Sequence, residues 1–325
     1  MTNFSPKVFP KVFVDGSHGT TGLRIREWLA DRDDIEVLSL PEDDRRDVAA
    51  RKALLAEADL AVLCLPDDAA PEAAAWAGDS GTKVIDASTA HRVAGGWTYG
   101  LPEMDSSQRE AIREEMNVSN PGCYATGVIL GLRPLVEEGL LPEDAPITVH
   151  ALSGFSGGGK AMIKRWEEPE SKLNDLPFES PYALERKHKH IPEMTQYSGL
   201  SHEPQFVPSV GPFITGMRVE IPLHRAILSG AATAEAISEL LAARYADEKF
   251  VRVNSIDDSL AYADPAFDPR AANDTNRIDF SILPNELGHV LLIAQFDNLG
   301  KGASGSAIQN MNLMLGLPED AGLLA

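Results

Sequence analysis

Short apolar runs alternate with amphipathic stretches through the first third of the chain. Residues 11–15 (Lys-Val-Phe-Val-Asp), 36–40, 59–65, 83–86 and 117–119 predict strands, and 21–29, 51–58 and 69–78 predict the helices between them. Apolar runs this short, bounded by turn residues, suit strands buried on both faces. Their alternation with helices predicts a parallel, doubly wound α/β sheet. Past residue 123 the rhythm changes. Strands are predicted at 147–152, 205–208, 218–223, 250–253, 279–282 and 289–294, with one clear helix at 231–245 and a last helix at 303–314. Strands that follow one another with little helix between them predict a mostly antiparallel sheet, and with it an α+β unit. The polar stretch 166–180 reads as a loop, a candidate lid or oligomer arm.

Composition narrows this picture. A chain of 325 residues accommodates two domains. No apolar run approaches the roughly 20 residues of a membrane-spanning helix, and the N-terminus shows no apolar segment followed by a cleavage site. The two cysteines, Cys64 within an apolar strand and Cys123 in a turn, read as free thiols of a reducing cytoplasm. A formal net charge of −20 argues against non-specific binding to nucleic acid or an anionic membrane. It leaves a small anionic substrate open, because a few local cations decide that.

The candidate chemistry begins at Ser119-Asn120-Pro121-Gly122-Cys123-Tyr124-Ala125-Thr126. This turn places Cys123 between a strand and the start of a helix. There the helix dipole and unpaired N–H groups favour a thiolate nucleophile. The opposing reading is a small buried residue, as most free cysteines are. Gly16-Ser17-His18-Gly19-Thr20-Thr21-Gly22 lies at the first strand–helix junction. Its G-x-x-G-x-x-G spacing departs from the usual dinucleotide fingerprint, but its position suits a pyrophosphate on a helix N-terminus. No acid clearly closes the second strand. Ser39, Arg45 and Arg46 stand there instead, which favours the 2′-phosphate of NADP unless the arginines are merely exposed.

Lys187-His188-Lys189-His190-Ile191-Pro192-Glu193 is spaced poorly for catalytic zinc and no metal is assigned to it. It offers an acid–base partner for Cys123, with Glu193 one helical turn from His190 to fix its imidazole, or else a solvated basic strip. Gly154-Phe155-Ser156-Gly157-Gly158-Gly159-Lys160-Ala161 nearly spells a P-loop, but Ala161 replaces the hydroxyl that holds Mg²⁺. It reads instead as backbone N–H groups around an anion, with Lys160 nearby. Ser88 and Arg92 are candidate anion or cofactor contacts. Asn298 is a candidate partner for a nicotinamide amide in a segment whose glycines otherwise serve packing.

The Cys123 segment, His188-Lys189-His190-Ile191-Pro192-Glu193 and Asp297-Asn298-Leu299-Gly300-Lys301-Gly302-Ala303-Ser304-Gly305 together resemble the short-form branch of the N-acetyl-gamma-glutamyl-phosphate reductases. That family lies within the wider aspartate-semialdehyde and glyceraldehyde-phosphate dehydrogenase group. The resemblance covers essentially the whole chain. It implies a Rossmann-like NADP-binding domain, 1–120 completed by the C-terminal helix at 300–325, and a catalytic and oligomerisation domain at 121–299. It further implies a cytoplasmic homodimer or homotetramer that reduces an acyl phosphate with NADPH through a cysteine thioester. Cys123 then falls on the family nucleophile and His190 on its catalytic histidine, with His188 as a substrate contact or the alternative base. Arg92, Asn120, Ser153, Gly154 and Lys160 fall on the substrate and phosphate side. A sister acyl-phosphate reductase, acting on aspartyl phosphate or a carrier-bound lysine-pathway substrate, is the alternative within the group. A non-catalytic NADP-binding regulator is the alternative outside it.

Overall fold

The computed structural model describes residues 9–185, 187–262 and 267–325. The first eight residues, read above for a leader segment, lie outside them. The first sheet holds β1 (Lys11–Asp15), β2 (Glu36–Leu38), β3 (Leu60–Leu63), β4 (Lys83–Asp86), β5 (Thr98–Tyr99) and β6 (Asn117–Ser119). All its pairings are parallel, in the order β2-β1-β3-β4-β6-β5. Every residue of β3, Leu-Ala-Val-Leu, is buried, as a strand covered on both faces requires. The helices are α1 (Thr20–Leu29), α2 (Val48–Glu57), α3 (Ala70–Ser80) and α4 (Gln108–Glu114). In α3 the alanines at 70, 73, 74 and 77 form the buried stripe, at helical spacing. The chain leaves β1 for β2 on one side and returns to β3 on the other. That makes the C-terminal ends of β1 and β3 the switch point where an open parallel sheet forms its crevice.

The second unit opens with α5 (Cys123–Glu137) and continues through β7 (Thr148–Gly154), α6 (Gly159–Glu167), β8 (Ser180–Pro181), α7 (Ile191–Ser198), β9 (Gln205–Gly211) and β10 (Met217–Leu223). After these come α8 (Ala234–Arg244), β11 (Val251–Val253), α9 (Ile256–Tyr262), β12 (Ile278–Pro284) and β13 (Val290–Phe296). Its seven strands run in the order β11-β12-β13-β10-β7-β9-β8. Pairing is antiparallel except at β7–β9 and β11–β12. The core packs residues of α5 and α8, among them Val128, Leu132, Ile237 and Leu241, with Phe280, Leu292 and Phe296 of the sheet. A π-helical turn, Gly300–Ser304, then leads into α10 (Gly305–Met314). Ala307, Ile308 and Met311 of α10 pack with Val12, Val14 and Val62, so the chain's end returns to the first sheet.

The structure departs from the expected elements where local signals were weak. β5, α4 and α9 are too short to show a period. β2 stops at Leu38 and β3 at Leu63, which leaves Cys64 in the crevice rather than inside a strand. The P-loop-like stretch runs into α6, whose Trp166 is buried and stacks on Phe155. The region 166–180 is therefore not one loop. It begins inside α6, forms two short 3₁₀ turns, and ends on β8.

Candidate active site

The crevice at the switch point is a cleft of about 720 Å³ lined by residues 15–19, Arg45, Arg46, Arg51, Cys64 and Lys160. Gly16 has φ +82°, a left-handed conformation that favours glycine, and a Cβ there would collide with the Cys64 carbonyl. The loop therefore lies flat on the end of β3. Arg51 from α2 makes a forked pair with Asp15, its Nη2 donating to Oδ2 at 2.8 Å. Ser39 is exposed and does not line the cleft, so the cationic wall consists of arginines without it. Thr20 Oγ1, at the start of α1, is buried without a hydrogen-bond partner, and Thr20 lines the adjoining cavity.

That adjoining cavity, about 540 Å³, runs from Gly19–Gly22 to Cys123 and His190. A third, about 450 Å³, meets it at Cys123, His190 and Gly157–Gly159 and extends to Tyr124, Ser153, Tyr182 and His188. Cys123 thus stands where two cavities join, one leading to the glycine-rich loop and one to a wall of tyrosines and histidines. It is the first residue of α5. The expected thiolate is corrected here: burial pushes the Cys123 thiol up to about 11, against Arg92, the Tyr124 N–H and Lys189, which favour the anion. Desolvation outweighs the helix end. His190, which is buried where Cys123 is half-buried, is held well below the usual histidine range by burial and by Arg92, His188 and Lys189. Both groups therefore rest neutral at pH 7.

Glu193 does not hold His190. Its carboxylate accepts from Arg92 Nη1 (2.8 Å), the Tyr99 hydroxyl (2.6 Å) and the Gly122 N–H (3.0 Å). A Cβ on Gly122 would collide with Glu193 and Arg92, which is the reason for glycine immediately before the cysteine. Arg92 also donates to the Asn120 and Ala87 carbonyls. Arg92 thus pairs with Glu193 behind the cysteine and at the same time lines the cavity at Cys123. We predict that Glu193→Gln lowers stability by about 3–5 kcal/mol by leaving Arg92 buried and uncompensated, read from the urea midpoint. The same variant should be alkylated faster by iodoacetamide at pH 7, because the carboxylate raises the Cys123 thiol and Arg92 lowers it. An unchanged alkylation rate in a folded variant would refute the electrostatic part.

Other expected contact residues also make hydrogen bonds within the fold. Ser88 donates its hydroxyl to Asp86 (2.7 Å) and is absent from the lining of the cleft and of the two cavities. Asn120 lines the cavity at Cys123, donates to the Ala303 carbonyl and accepts from Asn310, fastening the π-turn and α10. Asn298 accepts from the Gly216 N–H and donates to Ser156 Oγ, and it lines the cavity at Cys123. The N–H groups of Gly154, Phe155 and Ser156 bind carbonyls of residues 213–216. Gly157–Gly159 of that loop face both cavities at Cys123, with Ser156 and Lys160 on the first and Gly154 on the second. Ser153 lines the tyrosine-rich cavity and donates its hydroxyl to the Gly154 carbonyl.

His188 is fixed at both nitrogens. Its Nδ1 accepts the His190 backbone N–H (3.1 Å), and its Nε2 lies 3.3 Å from the Tyr182 hydroxyl, which donates to Tyr124. The Nδ1 of His190 has no partner. Lys189 faces both cavities, and Tyr99, Arg51 and Tyr182 join the site without any motif that announced them. Among the described residues, no cluster of three or more His, Cys, Asp or Glu side chains is placed to hold a metal ion. No helix among them is long and apolar enough to cross a membrane.

The family model for the semialdehyde dehydrogenase NAD binding domain matches residues 11–114, and that for the semialdehyde dehydrogenase dimerisation domain matches 123–298. The chain is 48% identical over 320 residues to the N-acetyl-gamma-glutamyl-phosphate reductase of Trichormus variabilis, covering 97% of this chain and 99% of that one. It is 47% identical to N-acetyl-gamma-glutamyl-phosphate reductase 2 of Pseudomonas putida, covering 94% and 97%. Among solved structures, aspartate semialdehyde dehydrogenase II of Vibrio cholerae superposes with a TM-score of 0.71 at 17% identity, over 95% of this chain and 99% of that one. That likeness concerns the fold.

Proposed function

This chain belongs to the N-acetyl-gamma-glutamyl-phosphate reductases, and we infer that Cys123 carries its reaction, the NADPH-dependent reduction of N-acetyl-gamma-glutamyl phosphate to the semialdehyde and phosphate. The observation that carries the reading is the position of Cys123 at the junction of the two cavities, with His190 beside it in both.

Cys123 attacks the acyl carbon and phosphate departs, leaving a thioester on the enzyme. His190, neutral at rest, accepts the thiol proton during attack and returns it to the Cys123 sulfur when the hemithioacetal oxyanion collapses and the aldehyde leaves. The first turn of α5 supplies backbone N–H groups for the developing oxyanion. Lys160, Lys189 and Gly157–Gly159 receive the phosphate, with Arg92 on the same cavity wall. Tyr124, Tyr182 and His188 line the side where the N-acetylglutamyl chain lies.

The crevice fits NADP: the flat Gly16 turn, the unpartnered Thr20 hydroxyl and the arginine wall match a dinucleotide with an extra phosphate. When bound, NADPH supplies the hydride. Gly16, Ser17, Gly19, Thr20, Thr21 and Gly22 would hold its pyrophosphate side, and Arg45 and Arg46 its 2′-phosphate. Arg45→Ala/Arg46→Ala together should weaken NADPH binding about tenfold, or ~1.4 kcal/mol, and leave NADH within twofold. Quenching of intrinsic tryptophan fluorescence measures both, and equal losses for the two cofactors would remove the arginines from that role.

The reading divides the chain into a cofactor domain, 1–120 with 300–325, and a catalytic domain, 121–299. The match to a dimerisation domain supports a homodimer or homotetramer, and free cysteines suit the cytoplasm. The test runs the reaction backwards with N-acetylglutamate semialdehyde, phosphate and NADP⁺. NADPH formation with this aldehyde and not with aspartate semialdehyde supports the assignment. Turnover of aspartate semialdehyde alone would select the sister activity, and inertness toward both would favour a regulator.

A further inference from the structure

The segment 297–305 contains a buried cation that the chemistry above does not use. Lys301 is fully buried, and its ammonium donates to Glu103 Oε1 (2.7 Å) and Gln309 Oε1 (2.8 Å). Glu103 is buried as well. Gln309 donates in turn to Glu103 and Glu319, and Arg109 joins Glu319 to Glu248 of the second unit. The network therefore ties the loop after β5, helices α4 and α10, and the turn after α8 to one ammonium. Lys301 lies in the π-turn, a distortion that often marks a functional position in a helix. The next residue, Gly302, lies against the nucleophile: a Cβ there would stand 2.8 Å from the Cys123 Cβ. The turn is also held by Asn120 on the Ala303 carbonyl and by Ser306 Oγ on the Lys301 carbonyl.

We propose that Lys301 is a positioning residue: paired with Glu103, it pins the π-turn so that Gly302 backs Cys123 and fixes the sulfur at the junction of the two cavities. This rests on Cys123 being the nucleophile. A buried pair is weak evidence of net stabilisation, because desolvation offsets the attraction. Its placement one residue from the contact with Cys123 points to geometry instead.

The test uses the full-length enzyme in the reverse direction. Lys301→Met/Glu103→Gln removes both charges, so no uncompensated ion is left. The expected result is a urea midpoint near that of the unaltered enzyme, KM for the semialdehyde within twofold and kcat lower by about tenfold or more. The rate of iodoacetamide labelling of Cys123, followed by mass spectrometry, should change at least about threefold, since it reports the sulfur's surroundings. A folded double variant with kcat and labelling both within twofold overturns the proposal and leaves the pair a structural one. Should the double variant not fold, Gly302→Ala decides. It keeps the ion pair and presses a methyl on Cys123, so it must lose kcat with KM retained, and normal turnover overturns the proposal. Labelling is read without turnover, and Cys123→Ser tests the nucleophile separately, so the two failures are distinguishable.

Discussion

Cys123→Ser is expected to lower turnover by at least about a thousandfold while NADPH binding stays within twofold of the unaltered protein. Removal of a covalent nucleophile costs this much or more, because the remaining groups bind and polarise without bonding to the acyl carbon. Serine is nearly the size of cysteine, and its hydroxyl is far harder to ionise than even this thiol, already raised to about 11 by burial. His190, held neutral and weakly basic, does not make up that difference. Folding should be little affected, because the replaced atom faces cavities as well as the packed Gly302. Two measurements decide: phosphate release in a single turnover, and quenching of tryptophan fluorescence by NADPH. A serine variant that kept most of its turnover would end the covalent mechanism, and one that lost NADPH binding would show that the substitution had disturbed the crevice.

The contrast between what sequence revealed and what it missed at this site follows from the range of the interactions. The strand–turn–helix around Cys123 was legible because a Pro-Gly turn and a switch in periodicity are local. The expected thiolate was not borne out. It was argued from the helix start alone, whereas the packing around Cys123 includes Gly302, from a segment far along the chain. Glu193 shows the same effect. One helical turn from His190, it was expected to orient the imidazole, yet Tyr99, Arg92 and Gly122, all distant in sequence, take its two oxygens. Ser88 was expected to face a ligand and binds Asp86 two residues back. The parallel sheet was legible from β3, whose unbroken apolar run states that both faces are covered. In the second sheet the strands were visible but not their partners. The parallel pairing of β7 with β9 joins strands separated by α6, β8 and α7, and no apolar period records which strand lies beside which.

Replacing His190 with asparagine should lower acylation by about 10²- to 10⁴-fold, the usual contribution of a general base. Its distinctive effect should be on the pH profile. In the unaltered enzyme the thiol is protonated and the imidazole neutral across the range from about pH 6 to 9, because burial raises one and lowers the other. The reactive pair is then in the same state throughout, and the single-turnover rate of phosphate release should be nearly flat. Without the imidazole, attack needs preformed thiolate. For a thiol titrating near 11 its population rises tenfold per pH unit below that point, and the variant's rate should rise with it. His188→Asn is the internal control. His188 is lowered to about 4 by burial, Lys189 and Arg92, and its two nitrogens are occupied by the His190 N–H and Tyr182. Its loss should loosen the wall of the substrate cavity and raise KM, with the flat profile kept. If the steep profile appeared in the His188 variant instead, the roles of the two histidines would have to be exchanged. If both variants stayed flat, the thiol proton would leave by a route involving neither.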